Sequence, residues 1–586
     1  MDALLLMVVC FGGYLLAYHT YGRLLAEKIF KLRPDAPVPS HERNDGIDYV
    51  PTRKGIIFGH HFTSIAGTGP IVGPAIGIIW GWLPAILWVT LGCIFMGAVH
   101  DFGTLVVSLR NDGKSISEIA ARYINKRVRM IFFLIVFLAL LIVIAIFGIV
   151  IATVFKLYPQ SVIAVWLQIP IAMALGYAIY KKNANISLAT ILAVIGMYLC
   201  IAIGSWLEYR FPGLTSFSES WFIPPTGLWT ILLLIYVWFA STLPVTMLLQ
   251  PRDYINAWQL FIMMALLMAG VVASAFIGGS NFSIAAPPVN EIASDVPSLM
   301  PMMFVIIACG AISGFHSLVA SGTSTKQIAK EPDAQFVGYG SMLLEGGLAV
   351  LVILCITAGV SMGHDGLVGD AAWQYFYKDW MGEAGLKNNL APVVIGASNM
   401  MGSLGIPQVL GAAVMGVFIA SFAGTTLDTS VRIQRYVVAE LTEDIHMPIL
   451  SNRWAATTIA VLTAAALAFI DTSQGGISFG ASGAGAKRLW PLFGTVNQLL
   501  AALALLVVTM YLKKKVGLKY LFAGIPCVIM LTITGWAMIL NEISYYKDKN
   551  TLLIIIGGAV FLLAVWMTLE TLILFFKNKV TASETD

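Results

Sequence analysis

Five apolar stretches of this sequence contain side chains that ionise, and a lipid environment makes such groups costly. These side chains are His60, His61, His100, Asp101, His316, Glu345 and Asp428. Ionisable groups inside membrane segments usually pair with one another and mark the routes of ions or protons. We therefore predict that His100–Asp101, Glu345 and Asp428 bind a coupling ion. For Asp101, pairing with a basic loop at the end of its helix is an equal alternative.

Three threonine hydroxyls flank Asp428 in the segment AGTTLDTSVR. Thr425, Thr426 and Thr429 supply oxygen atoms of the kind that coordinate sodium in transporters. The structural alternative pairs Asp428 with Arg432, one helical turn further on. We expect Arg432 and Arg435 themselves to be anchors that extend to the membrane boundary.

The segment that follows His61 combines glycine and proline at a density that an unbroken helix does not tolerate. Residues 67–77 read GTGPIVGPAIG, and this composition removes both backbone donors and helix propensity. Irregular backbone persists at membrane depth only where it is buried in protein or lines a wet cavity. The segment therefore predicts a broken helix beside a cavity.

Pro70 gives the predicted break a specific chemistry. Proline favours the first position of a helix, so we expect a half-helix to begin there with free N–H groups in its first turn. Such N–H groups and the positive end of the helix dipole bind anions. The predicted carboxylate site consists of Gly67, Thr68, Gly69, Ile71, Val72 and Gly73.

A second segment resembles the first. Residues 59–68 (GHHFTSIAGT) align without gaps on 314–323 (GFHSLVASGT) with four identities. The charge pattern described below gives the two spans opposite directions, which is typical of inverted repeats in secondary transporters. Two ordinary Gly-rich helices packed by small residues are the alternative. The repeat adds to the predicted substrate site His61, His316, Ser321, Gly322 and Thr323.

The elements that position these residues are predicted to be membrane-spanning helices. Of the 586 residues, 58% are hydrophobic and 11% are charged, whereas soluble proteins carry about 25% charged residues. Because a span needs about 20 apolar residues, we predict about fifteen of them, with a further short helix possible within 391–407. The spans are 3–22, 56–79, 82–108, 129–153, 161–180, 187–206, 226–249, 256–279, 300–325, 336–361, 408–431, 452–471, 491–512, 519–540 and 551–575.

Basic residues alternate between the two sides of these spans. The loop 23–55 contains seven Lys or Arg residues, whereas 280–299 contains none. Since basic loops stay in the cytoplasm, the pattern predicts an N-terminus outside and a C-terminus inside the cell. The predicted organisation is an extra helix over 1–22, a cytoplasmic loop over 23–55, repeat bundles over 56–299 and 300–512, and C-terminal helices with a short tail over 513–586.

Other features limit the function classes. The six cysteines are scattered singly, which predicts small buried hydrophobic side chains and no metal or cofactor site. No ATP-binding GxxxxGK[ST] segment occurs, and basic residues form no nucleic-acid-binding stripe. The expected partners are a small-molecule substrate and the lipid bilayer, and the oligomeric state is left open.

Four long motifs together resemble the carbon starvation protein family (CstA). They are GTGPIVGPAIG, GAVHDFGTLVVSLRNDGKSISEIA, GFHSLVASGTS and FAGTTLDTSVRIQRY. The resemblance implies an importer of the bacterial inner or plasma membrane that is used in nutrient limitation. Peptide uptake and proton-driven pyruvate uptake are among the family's activities. It also implies a distant relationship to transporters of the LeuT type, in which the first and sixth core helices are broken. Six spans separate the two predicted breaks here, whereas a five-plus-five repeat needs four.

The sequence therefore predicts an all-α polytopic membrane protein with a LeuT-like inverted-repeat core. We expect a secondary active importer of small carboxylate-bearing nutrients (short peptides, amino acids or pyruvate) coupled to H⁺ or Na⁺, and not an enzyme. One alternative is a membrane redox enzyme with a histidine-ligated cofactor, since His60 and His61 are adjacent. A transporter-like channel or sensor is the other.

Overall fold

The fold consists almost entirely of helices that are long enough to cross a membrane. The computed structural model describes residues 2–182, 184–218, 222–277, 282–290, 296–378, 386–444, 446–471, 476–477 and 484–577. Twelve helical stretches in this part of the chain have the length and apolar composition of membrane spans, and one of them, Leu492–Lys547, contains two helices. The polytopic all-α class is confirmed, and the number of about fifteen spans stays a prediction. The predicted tail 578–586 lies outside the described residues.

The first half of the chain contains twelve helices. They are α1 (Asp2–Ala17), α2 (Pro39–Glu42), α3 (Lys54–Ile65), α4 (Gly69–Gly77), α5 (Trp82–Leu87), α6 (Ala98–Leu109), α7 (Ile116–Tyr123), α8 (Lys126–Leu157), α9 (Gln160–Tyr180), α10 (Ile186–Arg210), α11 (Pro225–Thr242) and α12 (Leu249–Ile277). A π-helical stretch, Trp88–Gly97, joins α5 to α6, so that the two form one span.

The described residues of the second half contain eleven α-helices and two short strands. The helices are α13 (Leu299–Ile306), α14 (Gly314–Gly322), α15 (Ser341–Leu354), α16 (Asp370–Tyr377), α17 (Leu386–Gly402), α18 (Gln408–Asp444), α19 (Pro448–Ser451), α20 (Arg453–Ala468), α21 (Ala484–Val516), α22 (Leu521–Lys547) and α23 (Thr551–Lys577). The strands β1 (Ile470–Asp471) and β2 (Gly476–Ile477) pair antiparallel. The further short helix expected within 391–407 is confirmed as α17.

Two helices are broken at the centre of the bundle. The stretch that contains α3 and α4 is 94% buried over its most apolar window, whereas α10 is only 17% buried and exposes leucine and isoleucine side chains to the surroundings. The second broken helix consists of α13 and α14. Because α13 contacts α4 and α14 contacts α3, the first half of each broken helix lies beside the second half of the other. The two broken helices are therefore antiparallel, as the inverted repeat predicts.

Six membrane-crossing elements separate the two broken helices. They are the α5–α6 span and the helices α8, α9, α10, α11 and α12. The predicted excess over a five-plus-five repeat is therefore present in the structure. The boundaries of the two repeat bundles stay a prediction.

Candidate functional site: two broken helices and a buried relay

The first break lies where the sequence predicts it. Helix α3 ends at Ile65, and Ala66 leaves the helical region with φ −77° and ψ 42°. Helix α4 begins at Gly69 with a proline in its first turn. Gly67 has to be a glycine because an added Cβ would overlap the Thr426 hydroxyl and lie 3.1 Å from Thr426 Cβ. The break therefore packs directly on α18.

The prediction that Ile71, Val72 and Gly73 of α4 have free N–H groups is wrong. Ile71 and Val72 both donate to the carbonyl oxygen of Thr68, at 3.1 and 2.8 Å, and Gly73 lies far enough inside α4 to join the helix's own ladder. Within residues 66–72, the backbone N–H groups without an acceptor are instead those of Thr68 and Gly69. The Thr68 hydroxyl is fully buried and also has no partner. The free donors lie earlier in the chain because α4 begins at Gly69 and not at Pro70, so that the Thr68 carbonyl already accepts from Ile71 and Val72.

The second break lies earlier than the sequence repeat predicts. Helix α13 ends at Ile306 and α14 begins at Gly314, with Gly310 between them in the left-handed region at φ +90°. The ten-residue alignment is therefore not a structural equivalence. Residues 59–65 lie before the first break, whereas 314–322 lie after the second.

Three residues assigned to the second break accordingly lie elsewhere. Ser321 donates to the Ser317 carbonyl at 2.7 Å, and Thr323 donates to the Val319 carbonyl at 3.0 Å. Hydroxyls bonded one turn back are compatible with a continuous helix up to Gly322, where α14 ends and Thr323 leaves the helical region with φ −127° and ψ −52°. Gly322, with Ser321, instead lines a separate cavity described below.

The two breaks meet at the end of a deep cavity. A Cβ at Gly69 would lie 2.5 Å from Cys309 Cβ, and a Cβ at Gly73 would lie 2.8 Å from the Ile306 carbonyl oxygen. The cavity has a volume of 560 Å³, and Gly69, Gly73 and Cys309 belong to its lining. Its volume lies in the range of about 300–1,000 Å³ that small-molecule sites occupy. Unwound backbone from both broken helices therefore faces one space of substrate size.

A chain of fully buried ionisable side chains reaches the second break. His100 Nδ1 lies 2.7 Å from Asp101 Oδ1, and Asp101 Oδ2 lies 2.9 Å from His316 Nδ1. His316 Nε2 lies 3.3 Å from Glu345 Oε2. The other Glu345 oxygen accepts a hydrogen bond from the Gly310 backbone N–H at 3.1 Å. Three predicted ion-coupling residues and His316 thus form one relay that ends on the break itself.

The same cluster could also accommodate a metal ion. Ligand atoms of Cys309, His316 and Glu345 lie within 4.8 Å of one another. The Cys309 thiol already lies 3.4 Å from the Ser313 hydroxyl, and Asn497 Nδ2 lies 3.7 Å from the sulfur. These contacts also suit a neutral thiol beside a His316–Glu345 pair that shares a proton. The sequence analysis predicts no metal, and the geometry alone permits one.

The predicted sodium site around Asp428 contains a guanidinium group. Arg252 Nη1 pairs with Asp428, and Arg252 Nη2 lies 3.1 Å from the Thr425 hydroxyl. Arg252 is the partner, so the predicted pairing of Asp428 with Arg432 is wrong. Thr425 also accepts from Asn256 Nδ2 at 3.0 Å. A permanent positive charge therefore stands where a bound cation was expected.

The two remaining threonines join α18 to the first broken helix. Thr426 donates to the Ser64 carbonyl at 3.4 Å, and the Thr429 hydroxyl lies 3.2 Å from the Ser64 hydroxyl. These bonds hold α18 against the last turn of α3. The two threonines thus lie near the first break.

Arg432 is buried and does not extend to the membrane boundary. It is 1% exposed, lies 2.8 Å from Asp48 Oδ1 and donates to the Leu243 carbonyl at 2.5 Å. Arg435 lies 3.5 Å from the other Asp48 oxygen. Burial raises the pKa of Asp48, but the charges of Arg432, Arg435 and Lys326 outweigh it and bring the pKa below its ordinary value. The expectation of two lipid-boundary anchors is therefore wrong, because the loop before α3 supplies a counter-ion.

The remaining histidines lie on α3. His61 Nδ1 lies 2.7 Å from the Ser324 hydroxyl, away from the 560 Å³ cavity lining. His60 Nδ1 lies 2.6 Å from Asp253 Oδ2, and both side chains are fully buried. Asp253 and its neighbour Arg252 do not belong to the site predicted from the sequence. Their signal was the segment QPRDY, where two charges follow an apolar span, but they lie in the first turns of α12.

Antiparallel broken helices that enclose a buried polar relay define the class of secondary transporters. The chain is a multi-pass membrane transporter and not an enzyme. It belongs to the carbon starvation protein CstA family, whose family model matches residues 2–372 and 371–537. The redox-enzyme alternative is therefore wrong.

Several curated relatives match almost the whole chain. A peptide transporter CstA of Helicobacter pylori is 33% identical over 94% of this chain and 83% of its own length. A peptide transporter CstA of Mycobacterium tuberculosis is 30% identical over 91% of this chain and 74% of its own length. The pyruvate/proton symporter BtsT of Escherichia coli is 29% identical over 92% of this chain and 81% of its own length.

Two solved structures align over most of the chain at low identity. MhsT in complex with L-phenylalanine matches 83% of this chain and 98% of its own, with 14% identity and a TM-score of 0.47. The Eremococcus coleocola manganese transporter in complex with an aromatic bis-isothiourea substituted compound matches 90% and 98%, with 12% identity and a TM-score of 0.43.

Proposed function

We propose that this transporter imports small carboxylate-bearing nutrients: short peptides, amino acids or pyruvate. The observation that carries the proposal is the cavity beside both breaks, whose lining includes Gly69 with its unpartnered N–H group. The N–H group and hydroxyl of the buried Thr68, directly before it, also lack partners. A carboxylate accepts from such donors with short, strong hydrogen bonds. The names of the relatives, peptide transporters and a pyruvate/proton symporter, support the same substrate classes.

The orientation that we propose has the N-terminus outside and the C-terminus inside a bacterial plasma membrane. The loop 23–55 with its seven basic residues then lies in the cytoplasm. The 560 Å³ cavity is bordered by Ser298 and by Asp548 and Asn550 of the α22–α23 connection, which this orientation places outside. The structure would then represent a state that receives substrate from the exterior.

A proton is the coupling ion that we propose. Glu345 accepts a hydrogen bond from the Gly310 N–H group of the second break and lies 3.3 Å from His316. Protonation of the His316–Glu345 pair would therefore change the hydrogen bond that fixes the second break. The proton also compensates the charge of a bound carboxylate, which otherwise lies unpaired in a buried site. Sodium is disfavoured at Asp428 because Arg252 already supplies the positive charge. One bundle would then move against the other to release both ligands.

Uptake into proteoliposomes tests this proposal. Radiolabelled pyruvate or Ala-Ala is expected to accumulate when the interior is alkaline, and a sodium gradient should have no effect. Glu345→Gln should abolish accumulation but retain exchange of labelled for unlabelled substrate, because the substrate site stays intact. The matched control is Glu542→Gln on α22, outside the relay. Uptake that ignores both gradients in the wild type would overturn the coupling.

A further inference from the structure

Three cavities follow one another along the second broken helix. Residues of α13 and the break line the 560 Å³ cavity, Phe315 and Leu318 line a 10 Å³ apolar space, and Ser321 and Gly322 line a third cavity of 270 Å³. Phe493 belongs to the first and second cavities, and Leu318 to the second and third. The three cavities therefore lie one after another along the second broken helix, with a small apolar space between the two larger cavities.

The third cavity is polar, and two of its charged side chains have no ion partner. Lys114 pairs with Glu118, and Arg43 lies 3.4 Å from Asp112 Oδ2. Lys326 and Glu440 also line the cavity. Within the described ranges, neither of these two has an oppositely charged group within 4.0 Å.

Aromatic rings and a hydroxyl hold this pair in place. Lys326 Nζ lies 3.9 Å from the centre of the Tyr436 ring and 5.3 Å from that of Tyr49. Such contacts position an ammonium group and leave its N–H donors available. Glu440 Oε2 accepts from the Ser115 hydroxyl at 3.4 Å, and its other oxygen is available to a ligand. One cation and one carboxylate thus line a common space and interact across it, without an ion pair between them within 4.0 Å.

We propose that this cavity is a second substrate site on the release side, and that it selects zwitterions. The ligand carboxylate binds Lys326, and the ligand ammonium group binds Glu440. A monocarboxylate such as pyruvate satisfies only Lys326 and places a second negative charge near Glu440, so the cavity discriminates against it. The inference rests on the proposed function and narrows its substrate class to amino acids and short peptides.

The stoichiometry of equilibrium binding tests the second site. Purified protein in detergent should bind two molecules of radiolabelled Ala-Ala per chain. Lys326→Gln and Glu440→Gln should each bind one, because the 560 Å³ cavity is unchanged. The matched control is Lys114→Gln, which lines the same cavity but is already paired with Glu118, and it should bind two.

Modified ligands test whether the second site requires both charges of a zwitterion. They leave the protein unchanged, so a folding defect of Lys326→Gln cannot affect this result. N-acetyl-Ala-Ala lacks the ammonium group, Ala-Ala amide lacks the carboxylate, and neither should displace more than one labelled molecule. Pyruvate should also displace no more than one.

Three results would overturn the inference in different ways. One bound Ala-Ala in the wild type would remove the second site and leave the proposed function standing. Two sites that pyruvate also fills would remove the zwitterion selectivity. No bound Ala-Ala, with proton-driven pyruvate uptake intact, would exclude peptides as substrates.

Discussion

Replacing Gly69 by alanine should force the two broken helices apart at the proposed substrate site. The new Cβ would lie 2.5 Å from Cys309 Cβ and closer still to its sulfur. Carbon atoms in contact normally lie about 3.5–4.0 Å apart, so the breaks must separate by more than ~1 Å. Overpacking of this kind costs about 1–3 kcal/mol. The backbone adds no strain of its own, because Gly69 lies in a helical first turn.

A double-mutant cycle assigns this cost to the contact between the breaks. Gly69→Ala should lower the melting temperature of the purified protein and weaken the stabilisation by Ala-Ala or pyruvate. In a Cys309→Gly background, which removes both clashing atoms, the same change should cost less than half as much. Gly535→Ala is the matched control because nothing lies within 4 Å of its added Cβ.

Additive effects of Gly69→Ala and Cys309→Gly on the melting temperature would contradict a direct contact between the two breaks. If Gly69→Ala costs the same with and without Cys309, the breaks do not touch at these residues. If Gly69→Ala leaves both melting temperature and ligand stabilisation unchanged, the cavity does not end on Gly69.

Three further predictions concern buried charges and the small apolar space. Arg252→Leu should destabilise the protein by about 3–5 kcal/mol because it leaves Asp428 buried and unpaired, and Asp428→Leu in the same chain should restore part of the loss in melting temperature. Because the folded-state pKa of Asp48 is lowered, its pairing with Arg432 stabilises the protein above the ordinary pKa and is lost as the pH falls through the lowered value. Limited proteolysis of the loop 23–53 should therefore increase at acid pH in the wild type and be pH-independent in Asp48→Asn. Phe493→Ala should widen the small apolar space, and proteoliposomes should then leak substrate without a gradient.

The sequence was sufficient to predict the features that composition and backbone chemistry determine. The hydropathy and charge pattern predicted a polytopic helical protein, and the density of proline and glycine in residues 67–77 predicted the first break to within two residues. Ionisable residues in apolar segments predicted the relay members Asp101 and Glu345. Each of these predictions follows from the free-energy cost of placing an ionisable side chain or an unpaired backbone group in lipid, which depends on one residue or one short segment.

The sequence was insufficient wherever two distant segments determine the outcome. The partner of Asp428 is Arg252, 176 positions away, and helical spacing pointed to Arg432 instead. The partner of Arg432 is Asp48 in a loop. Four identities suggested a repeat at Gly322, whereas the second break arises where Gly310 adopts φ +90°. The free donors at Thr68 and Gly69 depend on where α4 begins, which is Gly69 and not Pro70.

Cys309 can report directly whether substrate binds between the two helix breaks. Cys309 lines the 560 Å³ cavity beside Gly69, and the other five cysteines are buried elsewhere and serve as internal controls. Alkylation by a small membrane-impermeant maleimide, followed by peptide mass spectrometry, measures its reaction rate. Saturating Ala-Ala or pyruvate should slow alkylation of Cys309 at least tenfold, and Cys309→Ser should remove the labelled peptide. An unchanged rate at saturating ligand would contradict a substrate site between the breaks.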